Sequence, residues 1–333
     1  MPPVIAIDAM GGDRAPADIV AGALQSVDAC DVDVLLVGPA DVIREHLPGG
    51  RTPPRVELLD ASEIIAMGDE PAAAVRTKKD SSIVRAAAAV RDGRAAAMVG
   101  AGNTGATMAA ALLRFGRIKG VHRPAIALPV PVIGEDRIQL LVDGGATVDP
   151  EPEWLLEWAE LARAYARVRL GVDEPTVALL SNGEEPGKGD ALRKRAFELF
   201  SDLKGFVGNV EGRDVMRRSA DVIVTDGFTG NVTLKTLEGA VMGIAGLVFS
   251  VIDEPGTPWA ASADALKLRL LDAAAPLLPD NTGGALLLGV EGVCIISHGS
   301  SSATAIVNAV RVARDCVRAD VVSSLRDAVT RAR

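Results

Sequence analysis

The chain has 333 residues, is 48% hydrophobic but only 3% aromatic, and carries a net charge of −9. That length supplies ample core for one large domain or two smaller ones, and a core of Ala, Val, Leu and Ile suits a parallel sheet covered by Ala-rich helices. The acidic balance argues against nonspecific nucleic-acid binding, and Cys30, Cys294 and Cys316, scattered and without a CxxC pair, support neither a disulfide framework nor a zinc site.

Residues 1–7 run from Met-Pro-Pro straight into a β-branched strand with no basic leader. No apolar run reaches the roughly 20 residues of a membrane span. The expectation is an intracellular, reducing location. Along the chain, strands are expected at 4–7, 34–37, 56–59, 97–99, 125–130, 138–142, 176–180, 205–207, 222–224 and 293–296. Helices are expected at 17–29, 82–92, 105–115, 152–167, 190–200, 231–251 and 302–331. Such alternation predicts an α/β protein of three α/β/α layers around a mostly parallel, doubly wound sheet, with ligands beyond the carboxyl ends of the strands. Residues 264–278 are leucine-rich with Lys267 and Arg269 interspersed. The residues favour a packing or dimer helix there over a lipid-facing one.

Most strands end in glycine-rich or polar loops: Asp8-Ala-Met-Gly-Gly-Asp13, Gly100-Ala-Gly-Asn-Thr-Gly-Ala106, 143–149, 181–190 and 225–231. One such loop is ordinary turn chemistry. Five or six on one sheet edge would build a continuous polar cleft. In the loop after residue 224, backbone N–H groups and a positive helix end would converge on an anion, with Gly227 and Gly230 allowing positive φ or close approach.

Nucleotide chemistry fits poorly. Gly100-x-Gly102-x-x-Gly105 matches the dinucleotide fingerprint, but no Asp or Glu follows between Asp92 and Glu135 to hold a ribose hydroxyl. The 183–189 loop has glycine spacing one short of a Walker A motif and no Ser or Thr after Lys188. His298-Gly-Ser-Ser-Ser302 lacks the GxSxG frame of a hydrolase, so His298 and its neighbours are read as hydrogen-bond donors to a ligand. No cofactor and no metal are expected. The basic clusters, Arg193-Lys-Arg195 among them, are read mostly as solvated helix faces.

Together, residues 8–13, 101–106, Gly116-Arg-Ile-Lys-Gly120 with Arg123-Pro, 206–211 with Arg213-Asp214, Thr225 to Thr236, and His298-Gly-Ser-Ser301 resemble the bacterial phosphate acyltransferases. The resemblance runs in order through nearly the whole chain. It implies a fold akin to phosphotransacetylases and the isocitrate dehydrogenase group, as a single domain over 1–333 with a protruding helical segment at about 252–282. It further implies a cytoplasmic, peripherally membrane-associated homodimer. The implied reaction converts long-chain acyl-[acyl carrier protein] and inorganic phosphate to acyl-phosphate for phospholipid synthesis, handing product to a glycerol-3-phosphate acyltransferase. The family often has Asn where Asp190 stands here, which adds negative charge near Lys188.

Phosphate needs no enzyme nucleophile to attack a thioester, so the expected mechanism is direct attack in a ternary complex. The candidate catalytic residues are Asn231, Lys235, His298 and Lys188. Asp8, Gly11, Gly12, Asn103, Thr104, Gly105, Asp226, Gly227, Thr229, Gly230 and Ser300 are the candidate substrate-binding residues, with Asp8 and Asp226 orienting donors. A dehydrogenase of related fold and a non-catalytic membrane-surface scaffold are the alternatives.

Overall fold

A computed structural model describes residues 1–254, 257–259, 262–275 and 278–331. The strands are β1 (Val4–Asp8), β2 (Asp33–Gly38), β3 (Val56–Asp60), β4 (Ala97–Gly100), β5 (Ala125–Pro131), β6 (Ile138–Val142), β7 (Val177–Leu180), β8 (Phe206–Val210), β9 (Val222–Val224), β10 (Ala285–Leu288) and β11 (Val293–Ile296). They form one sheet in the order β3-β2-β1-β4-β11-β10-β5-β6-β9-β7-β8. The helices are α1 (Ala17–Cys30), α2 (Ala40–Glu45), α3 (Pro71–Thr77), α4 (Ser82–Arg91), α5 (Thr104–Phe115), α6 (Pro152–Leu170), α7 (Ala191–Phe200), α8 (Gly227–Ile252), α9 (Ala263–Ala274), α10 (Pro279–Thr282), α11 (Ala303–Arg318) and α12 (Val321–Arg331).

Strand alternation builds two cores. On β1, Ile5 and Ile7 join a cluster under α1, α6, α11 and α12, while Ala6 joins one under α4 and α5. On α11, buried Ile306, Ala309, Val310 and Ala313 recur at helical spacing, so this face fills the first core. The result is the three-layer α/β/α sandwich expected.

The sheet is not of one sense. The β5–β6, β5–β10 and β10–β11 pairings are antiparallel and the other ladders among the described strands are parallel. Strands β6, β7, β8, β9 and β10 therefore run opposite to β1 to β5 and β11. The polar loops leave from two edges, not one. Strand β10 is the strand missed, as are the short helices α2, α3 and α10: Gly283 and Gly284 precede β10, both at positive φ, and conceal a four-residue buried run.

Other boundaries also differ from expectation. Helix α8 starts at Gly227, not 231, because Asp226 caps it by accepting from the Thr229 N–H at 2.8 Å. The helix expected over 302–331 is two, broken where Asp320 adopts φ 47. Strand β8 reaches Val210 instead of 207.

Among the described residues, α8 is the one helix long and apolar enough by length and composition to cross a membrane. Lys235 and Glu238 are its only charged residues. It buries just Gly227, Gly230 and Ile252, and Met242, Ile244 and Leu247 are exposed. Helix α9 packs beside it, with Leu266, Leu268 and Leu271 exposed. Within the expected protruding segment at 252–282, residues 255–256, 260–261 and 276–277 lie outside the described residues, as do 276–277 of the leucine-rich 264–278 run.

Candidate active site

Although the loops leave from two edges, they meet across a groove of about 390 Å³. Thr104, Asn231, Lys235 and His298 line its polar end, together with Gly102. Leu128, Pro129, Leu234 and Leu237 line its apolar walls, from β5 below and α8 above. A single cavity thus offers an anion-suited end and a hydrocarbon-suited length.

The polar end is held by close packing of short loops. Asp13 N–H donates to Gly299 O at 2.7 Å, which joins the loop after β1 to the loop after β11. Gly12 sits at φ +110, a conformation that favours glycine, between Gly299 O and Ala101 O. Gly11 lies against the backbone of Gly102. Asp8 is buried and accepts from Met10 N–H at 3.1 Å. Burial pushes its carboxyl up, against hydrogen bonds from Ser82 and Met10.

Asn103 does not reach toward a ligand as expected. Its Oδ1 caps α5 through Ala106 N–H at 3.0 Å, and its amide donates to the carbonyls of Met67 (3.1 Å) and Asp69 (3.2 Å). That leaves the N–H groups of Thr104 and Gly105, at the positive end of α5, without partners among the described residues. Gly105 itself packs on Pro71 and faces a different cavity.

The start of α8 behaves differently from expectation. Gly227 N–H is spent on Thr147 O at 2.9 Å, Thr229 N–H on Asp226, and Gly230 N–H on Asp226 O. The 227–231 backbone is therefore mostly occupied as an anion cradle. Gly227 and Gly230 are helical and serve close approach: a Cβ on Gly230 would overlap the Asp143 carbonyl oxygen. Asp143, fully buried, accepts four N–H groups, from Ile126, Gly145, Ala146 and Thr147. Burial nonetheless pushes its carboxyl upward.

Arg193 was missed as a solvated residue and is in fact buried. Its guanidinium donates to Asp226, to Thr225 Oγ1 at 3.1 Å and to Thr229 Oγ1 at 2.9 Å, and pairs with Asp190 at 2.7 Å. Asp190 caps α7, so its charge is directed at Arg193 and away from Lys188. Burial pushes Asp226 up, but Thr229 and Arg193 outweigh it and hold the carboxyl below its ordinary value. A cation in the first turn of a helix is unfavourable unless carboxylates meet it; that was the signal available in the 190–193 stretch.

At the polar end, Lys235 Nζ lies 2.8 Å from His298 Nε2 and 2.8 Å from Glu238 Oε2. His298 Nδ1 is 2.7 Å from Ser300 Oγ. An ammonium only donates, so facing Lys235 the His298 Nε2 takes the acceptor role. Glu238, three residues beyond Lys235 on one helix face, was not singled out from the sequence. Asn231 Nδ2 reaches toward Gly144 O at 3.5 Å. Lys188 is exposed and does not line the groove. The one carboxylate cluster able to hold a metal among the described residues, Glu184, Glu211 and Asp214, already has Arg213 paired to Glu184 and Glu211.

Comparison with known proteins narrows what this geometry serves. A family model described as fatty acid synthesis protein matches residues 4–324. A phosphate acyltransferase of Desulfitobacterium hafniense is 46% identical over 332 residues, covering 98% of each chain. That of Bacillus subtilis is 42% identical over 328 residues, covering 98% of this chain and 97% of the relative. Among solved structures, a phosphotransacetylase from Streptococcus pyogenes superposes with TM-score 0.62 at 14% identity, covering 96% of this chain and 94% of that one. A 4-hydroxythreonine-4-phosphate dehydrogenase from Burkholderia phymatum superposes at 0.50 and 14% identity, over 95% and 98%. The fold alone is thus shared by transferases and dehydrogenases, and sequence kinship over the full length decides between them. The chain belongs to the fatty acid synthesis protein family, that of the phosphate acyltransferases, and is an acyltransferase enzyme.

Proposed function

We propose that the enzyme converts long-chain acyl-[acyl carrier protein] and inorganic phosphate to acyl-phosphate and free acyl carrier protein, by direct attack of bound phosphate on the thioester. The observation that carries this reading is the single groove, which joins the α5 N-terminus, Asn231 and Lys235 to an apolar channel along α8. Phosphate sits against Thr104 and its N–H group, Asn231 and Lys235, and the acyl chain runs under α8.

Phosphate oxygen attacks the carbonyl carbon, negative charge moves to the carbonyl oxygen, and collapse expels the carrier thiolate. Lys235 keeps one ammonium hydrogen beyond those engaged by Glu238 and His298, and directs it at the phosphate or the oxyanion. His298 holds Lys235 by accepting, a role different from the donor first expected; Ser300 orients the imidazole. Asp226, Thr229 and Asp8 position the loops and do not touch phosphate, since like charges repel.

The homodimer, peripheral membrane attachment and single-domain organisation with a protruding segment come from the family resemblance. The exposed apolar face of α8 and α9 supports a covered surface there. In a cytoplasmic setting the labile acyl-phosphate passes to a glycerol-3-phosphate acyltransferase. To test the chemistry, enzyme would be mixed with radiolabelled acyl thioester and phosphate, then acid-denatured. Label should appear as hydroxylamine-reactive acyl-phosphate and none on protein; stoichiometric label on the chain would overturn direct attack.

A further inference from the structure

We propose that Met216 and Val241 close the far end of the groove and so set how much of the acyl chain is read. The proposal rests on the reaction reading above and deepens it. Asn231 and Val241 line the groove at opposite ends of one helix face, ten residues apart. At 1.5 Å per helical residue they lie about 15 Å apart. A chain of sp³ carbons with bonds near 1.52 Å advances about 1.25 Å per carbon when extended, so about a dozen carbons fit.

The walls are apolar throughout this length. Leu128, Met216 and Leu237 pack on the core cluster of Val130, Leu141 and Ile223 while still lining the groove. Helix α8 stands off the sheet, burying almost none of its length, so the groove is the space between them. Met216 is fixed in place: its carbonyl accepts from Ile133 N–H at 3.0 Å, and the adjacent Val215 carbonyl accepts from Gln139. Beyond it the environment changes. A second cavity of about 740 Å³ shares Pro131 and Thr282 with the groove, and its lining sets Arg137, Arg169, Arg218 and Asp221 among apolar Leu170 and Val172. A methyl terminus gains less by entering that charge-lined chamber than inside the groove, where each added methylene raises affinity about fourfold.

The test measures kcat/KM for acyl thioesters of even length from six to eighteen carbons, and displacement of a fluorescent fatty acid by fatty acids of the same lengths. Both profiles should rise and level off near twelve carbons. Val241→Phe should move the plateau two or more carbons shorter, and Met216→Ala should move it longer. Met216→Phe repeats the shortening from the opposite wall should Val241→Phe fail to fold. A flat profile, or plateaus unmoved by either wall, overturns the proposal. Chain-length-dependent displacement without any acyl-phosphate formation would instead overturn the reaction reading and leave the ruler standing.

Discussion

The two ends of α8 are built on opposite principles. Its first turn is locked: Asp226 caps it, Arg193 grips Asp226 and Thr229, and Gly227 and Gly230 press onto the buried Asp143 loop. From Met242 onward the same helix presents apolar side chains to the exterior. The locked end places Asn231 and Lys235 with little freedom, as a preorganised site needs. Apart from Ile252 the open end contributes nothing to the core, and its apolar surface makes sense only when covered. Between them, Leu234, Leu237 and Val241 roof the groove.

The sharpest way to break this contrast is at Arg193. Arg193→Ala leaves Asp226 buried beside no cation and should cost about 3–5 kcal/mol, read by denaturant unfolding. Arg193→Lys should recover only part, since an ammonium cannot fork across Asp226, Thr225 and Thr229. Next comes Lys235→Ala, which should lower kcat/KM about 10²- to 10³-fold while the unfolding midpoint stays put. A large loss of stability there would mean that Lys235 belongs to the scaffold.

The pH dependence sharpens the locked end further. The folded-state pKa of Asp226 lies below its unfolded value, so its contribution is complete above about pH 4 and fades as pH falls through the folded value. The stability gap between the wild type and Asp226→Asn should therefore shrink below about pH 4; a constant gap would contradict the pairing. Glu238→Gln should cost only about two- to fivefold in kcat/KM, because the pair with Lys235 is partly exposed. Smallest on turnover is Leu247→Glu on the open end, which should alter sedimentation or vesicle binding while kcat/KM on dispersed substrate holds.

Legibility from sequence follows the same divide. Periodicity marks the long elements well, because α11 and the inner strands are buried on regular faces. Strand β10 escapes, since four buried residues after two glycines carry no period. The antiparallel β5–β6 pairing then reverses the β6-β9-β7-β8 half of the sheet, so the expectation of one polar edge fails although several of the loops still meet at the groove. Lys235, Asn231, Thr104 and His298 are visible as polar residues at strand ends and do converge. Arg193 carries only the faint mark of a cation in a helix's first turn beside a capping Asp, and Glu238 carries none, because nothing local tells a bridging charge from a solvated one. Asn103 shows the converse: a side chain suited to a ligand is consumed by capping and by the 67–69 carbonyls.

The most direct measurement is free-thiol release from acyl-[acyl carrier protein] by purified enzyme, with and without phosphate. Release that requires phosphate, saturates with it and collapses in Lys235→Ala is the predicted result. Equal release without phosphate would make the groove a hydrolase site and contradict direct attack.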